Sequence, residues 1–85
     1  IGWAGGLTAL IKICHIAEAA GIAVMPHAGM NTPYGQHIGL AMPSCTWGEY
    51  FLGSAPGVPL DELAVTPGTA TPKDGCLVPN DAPGF

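Results

Sequence analysis

The sequence predicts an α/β fold, and the order of three segments indicates it. The apolar residues 23–25 are typical of a strand that is buried on both faces of a parallel sheet. A helical pattern at residues 7–20 precedes them, and residues 1–3 have the character of a strand end. Strand, helix and strand in this order form one βαβ unit, which is the building block of α/β folds.

The helix at residues 7–20 is the clearest predicted element. Its polar side chains recur at steps of four, three and three residues, which places them in one stripe of an α-helix: Thr8, Lys12, His15 and Glu18. The other side chains are apolar, so we expect the helix to pack on most of its sides. The Gly5-Gly6 pair is predicted to lead the chain into this helix, and Gly21 to end it.

Two weaker elements and a tail are predicted after this unit. A second helix is expected at residues 36–42, where Pro43 would end it, and a third strand at residues 47–52. In that strand Glu49 shares one face with Trp47 and Phe51, so we expect desolvation to disfavour the charged form of its carboxyl. From residue 53 glycine and proline are frequent, and a short strand is predicted only at residues 75–78.

Composition indicates that the chain is part of something larger. It is 48% hydrophobic and only 9% charged, which leaves too few charged side chains to cover a surface of its own. The 13 glycines and 9 prolines would be typical of disorder in a polar chain, but this chain is apolar. We therefore expect a fragment of a longer protein.

Charge and cysteine content exclude several classes of protein. The net charge is −4 and the basic side chains are only Lys12 and Lys73, so nucleic acid is not an expected partner. No apolar run reaches the roughly 18 to 20 residues that span a bilayer, so no membrane association is expected. Cys14, Cys45 and Cys76 are too widely spaced for a zinc knuckle and odd in number. They are predicted to be free thiols in a reducing cytoplasm.

Two residues are candidates for catalysis. His27 follows the predicted buried strand, at the sheet edge where α/β folds collect ligands. Glu49 lies in the next strand, so the two side chains are expected to approach the same ligand-binding opening at that edge of the sheet. An imidazole can take and return a proton near neutral pH, and a protonated carboxyl can donate a hydrogen bond to a developing anion. A lone histidine at a strand end is nevertheless more often structural.

The remaining histidines and a methionine pattern have other interpretations. His15 lies in the polar stripe of the first helix, and His37 is expected to face solvent from the second. Met25, His27 and Met30 form a soft-ligand pattern that would suit copper, although Met25 belongs to a predicted buried strand. A small copper-binding module is therefore kept as an alternative.

An ordered set of short motifs resembles a known family. The motifs are Ile-Gly-Trp-Ala-Gly-Gly-Leu-Thr at residues 1–8, Val-Met-Pro-His at 24–27, Glu-Tyr-Phe-Leu at 49–52, Lys-Asp-Gly-Cys-Leu-Val-Pro at 73–79 and Ala-Pro-Gly-Phe at 82–85. In this order they resemble the mandelate racemase and muconate lactonizing branch of the enolase superfamily. Within it they look most similar to the L-rhamnonate dehydratase-like acid-sugar dehydratases, and the resemblance covers essentially the whole chain.

The resemblance implies a fold. Residues 1–53 would be the C-terminal portion of a modified TIM barrel, (β/α)7β, with its last three strands and two helices. The Gly/Pro-rich residues 54–85 would be a tail that returns to a capping domain.

The resemblance also implies a function. The complete enzyme would be a magnesium-dependent hydro-lyase of the cytoplasm and a homo-oligomer. It would remove the proton next to the carboxylate of an acid sugar and eliminate the β-hydroxyl, giving a 2-keto-3-deoxy acid. By position, His27 matches the acid/base histidine and Glu49 the carboxyl that hydrogen-bonds the enediolate. The magnesium ligands and the aspartate partner of the histidine are expected upstream of Ile1, so the fragment alone is expected to be inactive. A racemase, epimerase or cycloisomerase of the same superfamily is the alternative, because those reactions begin with the same proton removal.

Overall fold

The computed structural model describes residues 1–53, 55–63 and 65–85 of the 85-residue chain. Two α-helices, α1 (Leu7–Ala19) and α2 (Pro33–Ala41), form its centre. Three short 3-10 helices accompany them, at Gly2–Ala4, Gly29–Asn31 and Leu60–Glu62. Neither α-helix of the described part is long and apolar enough to cross a bilayer.

The first predicted helix is confirmed, with its predicted stop. After the C-cap Ala20, Gly21 adopts a left-handed conformation with φ of 67°. The N–H of Gly21 donates to the carbonyl of Glu18 (3.0 Å) and that of Ile22 to the carbonyl of Ala17 (2.8 Å). This pair of bonds is the Schellman motif, which satisfies the last carbonyls of a helix and favours glycine at the left-handed position.

The second helix begins three residues earlier than predicted. The hydroxyl of Thr32 accepts a hydrogen bond from the N–H of Gly35 (3.3 Å), and Pro33 occupies the first helical position. A threonine N-cap followed by proline is a favoured helix start. The threonine hydroxyl accepts from a free N–H of the first turn, and proline has no N–H that needs a partner. The helix ends at Ala41, shortly before Pro43 as predicted.

The predicted strands are not formed within the described residues. Residues 2–4 are 3-10 helical, and residues 23–25 and 47–52 are not strands either. A strand exists through hydrogen bonds to a neighbouring strand. Around residues 22–25 the described part supplies one such bond, from the N–H of Val24 to the carbonyl of Ser44 (2.9 Å). Ile22 and Met25 are each 61% exposed, so the predicted burial on both faces is absent as well.

A small core joins the two helices. It consists of buried side chains from α1, α2 and the segment after α2: Leu10, Cys14, Ile38 and Cys45. A second apolar side of α1 is open, because Ile13 is 44% and Ile16 72% exposed. The prediction that this helix packs on most of its sides is therefore wrong for the residues that the structure describes.

The tail folds back across α2. Ala70 is bonded to the side chain of Gln36, and the ring of Phe85 packs edge-on against Tyr34 and His37. His37 is thus half-buried against the tail, where solvent exposure was expected. In place of the predicted strand at 75–78, a single antiparallel bridge joins Lys73 to Cys76 around a turn with positive φ angles at Asp74 and Gly75. Ser54, the first residue of the predicted tail, lies outside the described residues.

Candidate active site

His27 lies at the tip of a tight turn. The N–H of Gly29 donates to the carbonyl of Pro26 (2.8 Å) and closes the turn around His27 and Ala28. Ala28 adopts a left-handed conformation with φ of 47°, a strained backbone for a residue with a Cβ. The imidazole is exposed and makes no hydrogen bond to another described residue. It is therefore free to exchange protons with a bound molecule or with water.

The carboxylate of Glu49 reaches the residue next to His27. Its Oε2 accepts a hydrogen bond from the backbone N–H of Ala28. The main chains of the two segments are also joined, because the N–H of Met30 donates to the carbonyl of Glu49 (3.0 Å). Glu49 itself is half-buried. The structure thus brings Glu49 against the turn that carries His27, although no hydrogen bond joins the two side chains themselves.

The side chain of Asn31 joins the His27 segment to the Glu49 segment a second time, through the main chain of Phe51. Its amide nitrogen donates to the carbonyl of Phe51 (2.8 Å), and its amide oxygen accepts from the N–H of Phe51 (2.7 Å). A side-chain amide offers one acceptor and two donors, so it can imitate the two-way pairing of neighbouring strands. Residues 28–31 and 49–51 therefore run side by side. Asn31 was not singled out from the sequence, where only its position in the loop after His27 gave a signal.

The environment of Glu49 differs from the predicted one. Trp47 is 77% and Phe51 66% exposed, so these two rings do not shield the carboxyl from water in the described part of the chain. Two cavities of about 420 Å³ and about 470 Å³ border this region, and neither is lined by His27 or Glu49. The mouth predicted between the two side chains is thus not an enclosed cavity here.

The described residues hold no group of three or more histidine, cysteine, aspartate or glutamate side chains that fits a metal ion. Magnesium prefers several oxygen ligands in octahedral geometry, so the residues present do not make a site for it. The three residues of the copper pattern, Met25, His27 and Met30, also lie in different environments. Met30 is buried and points at Gly39 and Gly48, while Met25 and His27 are exposed. Met30 serves as a core side chain between α2 and the segment around Gly48.

The arrangement offers two groups for chemistry, the imidazole of His27 and the carboxyl of Glu49. The imidazole of His27 is exposed and can be reached by a bound molecule. One oxygen of the Glu49 carboxyl is used by Ala28, and the other remains available. A group held in this way is preorganised, which is the condition for stabilising charge that develops during a reaction.

Comparison with known proteins relates the whole chain to one family. No solved structure matches the chain. The family model described as enolase C-terminal domain-like matches residues 1–85, the full length of the sequence. That match supports an enzymatic parent and an α/β class for the domain, and it confirms the superfamily predicted from the ordered motifs. The chain therefore belongs to the enolase C-terminal domain-like family.

Proposed function

We propose that this chain contributes His27 and Glu49 as the catalytic pair of a magnesium-dependent acid-sugar dehydratase similar to L-rhamnonate dehydratase. The observation that supports the pairing is the hydrogen bond from Ala28 to Glu49, which holds the carboxyl beside the turn bearing His27. Family membership supports proton removal next to a carboxylate as the type of chemistry. The magnesium ligands would come from residues other than those described.

The proposed reaction divides between the two side chains. The bond from the α-carbon to hydrogen breaks, its proton passes to the imidazole of His27, and its electron pair forms an enediolate with the carboxylate. Glu49 acts in its protonated form: one oxygen accepts from Ala28, and the hydroxyl of the other donates a hydrogen bond to the negative charge.

Elimination completes the cycle. The electron pair of the enediolate forms a double bond between the α- and β-carbons while the β-carbon releases its hydroxide. The proton on His27 converts that hydroxide to water. The remaining enol takes a proton at the β-carbon and loses one from its hydroxyl, giving a 2-keto-3-deoxy acid.

The domain arrangement belongs to the same proposal. Residues 1–53 would complete the barrel and residues 54–85 would extend toward a cap. Support for a distinct role of the tail comes from its path, which crosses α2 and ends with Phe85 against Tyr34 and His37. The uncovered side of α1, with Ile13 and Ile16, is the type of surface that neighbouring barrel elements cover.

The racemase, epimerase or cycloisomerase alternative shares the first step and differs in the fate of the enediolate. Return of the proton to the opposite face of the α-carbon would give an epimer, with no loss of water. The product therefore distinguishes the two functions.

The test is an assay of the complete enzyme against a panel of acid sugars with magnesium present, comparing wild type, His27→Asn and His15→Asn. His15 is an exposed histidine of α1 and serves as the matched control. We expect wild type and His15→Asn to release a 2-keto-3-deoxy acid, and His27→Asn to lose about 10²- to 10⁴-fold in rate. Formation of an epimer would favour the alternative, and full activity of His27→Asn would remove His27 from the mechanism.

A further inference from the structure

Gln36 is the most deeply buried polar side chain among the described residues. It lies on α2 and is 2% exposed. Its amide nitrogen donates to the carbonyls of Met30 (2.9 Å) and Ala70 (2.8 Å), and its amide oxygen accepts from the N–H of Ala70 (2.9 Å). A side-chain amide has two donors and one oxygen with two acceptor positions, so both donors of Gln36 are in use. One helix side chain thus binds two segments that are far apart in sequence.

One of these segments is the loop that holds Glu49. Met30 accepts from Gln36 through its carbonyl and donates to the carbonyl of Glu49 through its N–H (3.0 Å). Two residues earlier in the same loop, Ala28 donates to the Glu49 carboxylate. Gln36 therefore holds the same loop residue that bonds to the main chain of Glu49.

The other segment is the tail. Ala70 forms a two-way pair with the Gln36 amide, in the manner of one strand pairing with another. If the tail leaves, one donor and the oxygen of the Gln36 amide both lose their partner. A buried polar group without a partner is costly, so docking of the tail and anchoring of the loop support each other.

We propose that Gln36 is a positioning residue that couples the docked tail to the catalytic pair. Docking at Ala70 completes the bonds of the Gln36 amide, and the amide then fixes Met30, which sets the position of Ala28 and Glu49 relative to His27. This inference rests on the proposed function for its catalytic consequence. The coupling between tail and loop stands on the hydrogen bonds alone.

The test uses the complete enzyme with three substitutions. Gln36→Leu removes every bond of the amide. Gln36→Glu keeps an acceptor for Ala70 and can donate one bond only when the introduced carboxyl is protonated. Ser44→Ala is the matched control, because Ser44 is also buried and its hydroxyl donates to a carbonyl of α1 (Cys14, 3.1 Å) rather than to a carbonyl of the loop.

Kinetics give the first readout. For Gln36→Leu we expect kcat to fall about 10- to 100-fold, the scale of a small misplacement of catalytic groups, with little change in KM. For Gln36→Glu we expect kcat, divided by the kcat of wild type at the same pH, to rise as the pH is lowered and the introduced carboxyl gains a proton. Ser44→Ala should keep the kcat of wild type. An unchanged kcat in Gln36→Leu, or an equal loss in Ser44→Ala, would overturn the positioning role.

Amide hydrogen exchange gives a readout that does not depend on the reaction. In Gln36→Leu the N–H groups of Ala28, Met30 and Ala70 should all exchange faster than in wild type. Faster exchange at Ala70 with no change at Met30 and Ala28 would overturn the coupling. If wild type turns over no acid sugar, the proposed function fails, and the exchange data alone decide whether Gln36 links the tail to the loop.

Discussion

The carboxylate of Glu49 accepts a hydrogen bond from the backbone N–H of Ala28, the residue that directly follows His27. This bond crosses 21 residues of sequence and joins the two segments that carry the proposed catalytic groups. Because one carboxyl oxygen is held by Ala28, the direction of the other is restricted. A restricted hydrogen-bonding group stabilises a transition-state charge better than a mobile one, since less reorganisation is needed.

This geometry predicts different results for two substitutions of Glu49. A glutamine can still accept from Ala28 with its oxygen and donate with its nitrogen, whereas an alanine can do neither. In the complete enzyme we expect Glu49→Ala to lower kcat about 10²- to 10³-fold, the usual effect of losing one preorganised donor. Glu49→Gln should retain clearly more activity. Equal losses in the two variants would show that hydrogen bonding is not the function of this side chain.

Two glycines of α2 predict opposite effects on stability. A Cβ at Gly35 would overlap the carbonyl oxygen of Gly29, while a Cβ at Gly39 would meet only the flexible end of Met30 at 3.0 Å. Gly35→Ala should therefore destabilise by about 1–3 kcal/mol through backbone displacement. Gly39→Ala should be neutral or stabilise by up to about 1 kcal/mol, because alanine favours the helix. Denaturant unfolding measures both, and a larger loss at Gly39 would contradict the packing of α2.

The stability of the core should depend on alkaline pH through Cys45. Burial, followed by the hydrogen bond with Cys14 (Sγ to Sγ 3.7 Å), raises the pKa of the Cys45 thiol from 9.0 to about 11. The folded protein thus keeps a proton that the unfolded chain releases above pH 9. This contribution is complete below pH 9 and is lost as the pH rises to about 11.

The size of this loss is on the order of 3 kcal/mol, since the shift is about two pKa units and each unit corresponds to about 1.4 kcal/mol. Unfolding of wild type and Cys45→Ala by denaturant at several pH values measures it. The stability difference between the two proteins should shrink between pH 9 and 11. A difference that stays constant over this range would contradict the raised pKa.

The three cysteines should react at different rates with an alkylating reagent. Cys14 and Cys45 are buried and Cys76 is exposed in the turn after Lys73. Reaction requires contact between the thiol and the reagent, and burial prevents that contact. Peptide mass analysis of the folded protein should show Cys76 labelled first and all three labelled in denaturant. Labelling of Cys14 or Cys45 as fast as Cys76 would show that the core between α1 and α2 opens readily.

Local sequence signals predicted the helices. The polar stripe of α1 and the glycine at position 21 act within a few residues, so their effect does not depend on the rest of the protein. The start of α2 was missed because the helix was predicted to begin only at residue 36, although Thr32 and Pro33 together form a favoured helix start. The predicted strands do not form in the described residues, because a strand needs hydrogen bonds to a neighbouring strand. Around Val24 the described part supplies one such bond, to the carbonyl of Ser44.

Only part of the candidate site was predicted from the sequence. The position of His27 after one predicted strand and of Glu49 within the next indicated that they approach each other, and the bond from Ala28 to Glu49 joins their segments. Asn31 and Gln36, which hold those segments, were not predicted. Each binds main-chain groups of a segment distant in sequence, and no periodicity marks such an amide.

A double-mutant cycle between His27 and Glu49 tests most directly whether the two residues act at one site. It requires kcat/KM of the complete enzyme for wild type, His27→Asn, Glu49→Ala and the double variant. Residues that serve the same step are strongly non-additive, so we expect the double variant to lose little more than the more damaging single one. Losses that multiply as for independent sites, or a single variant with wild-type activity, would contradict a shared role.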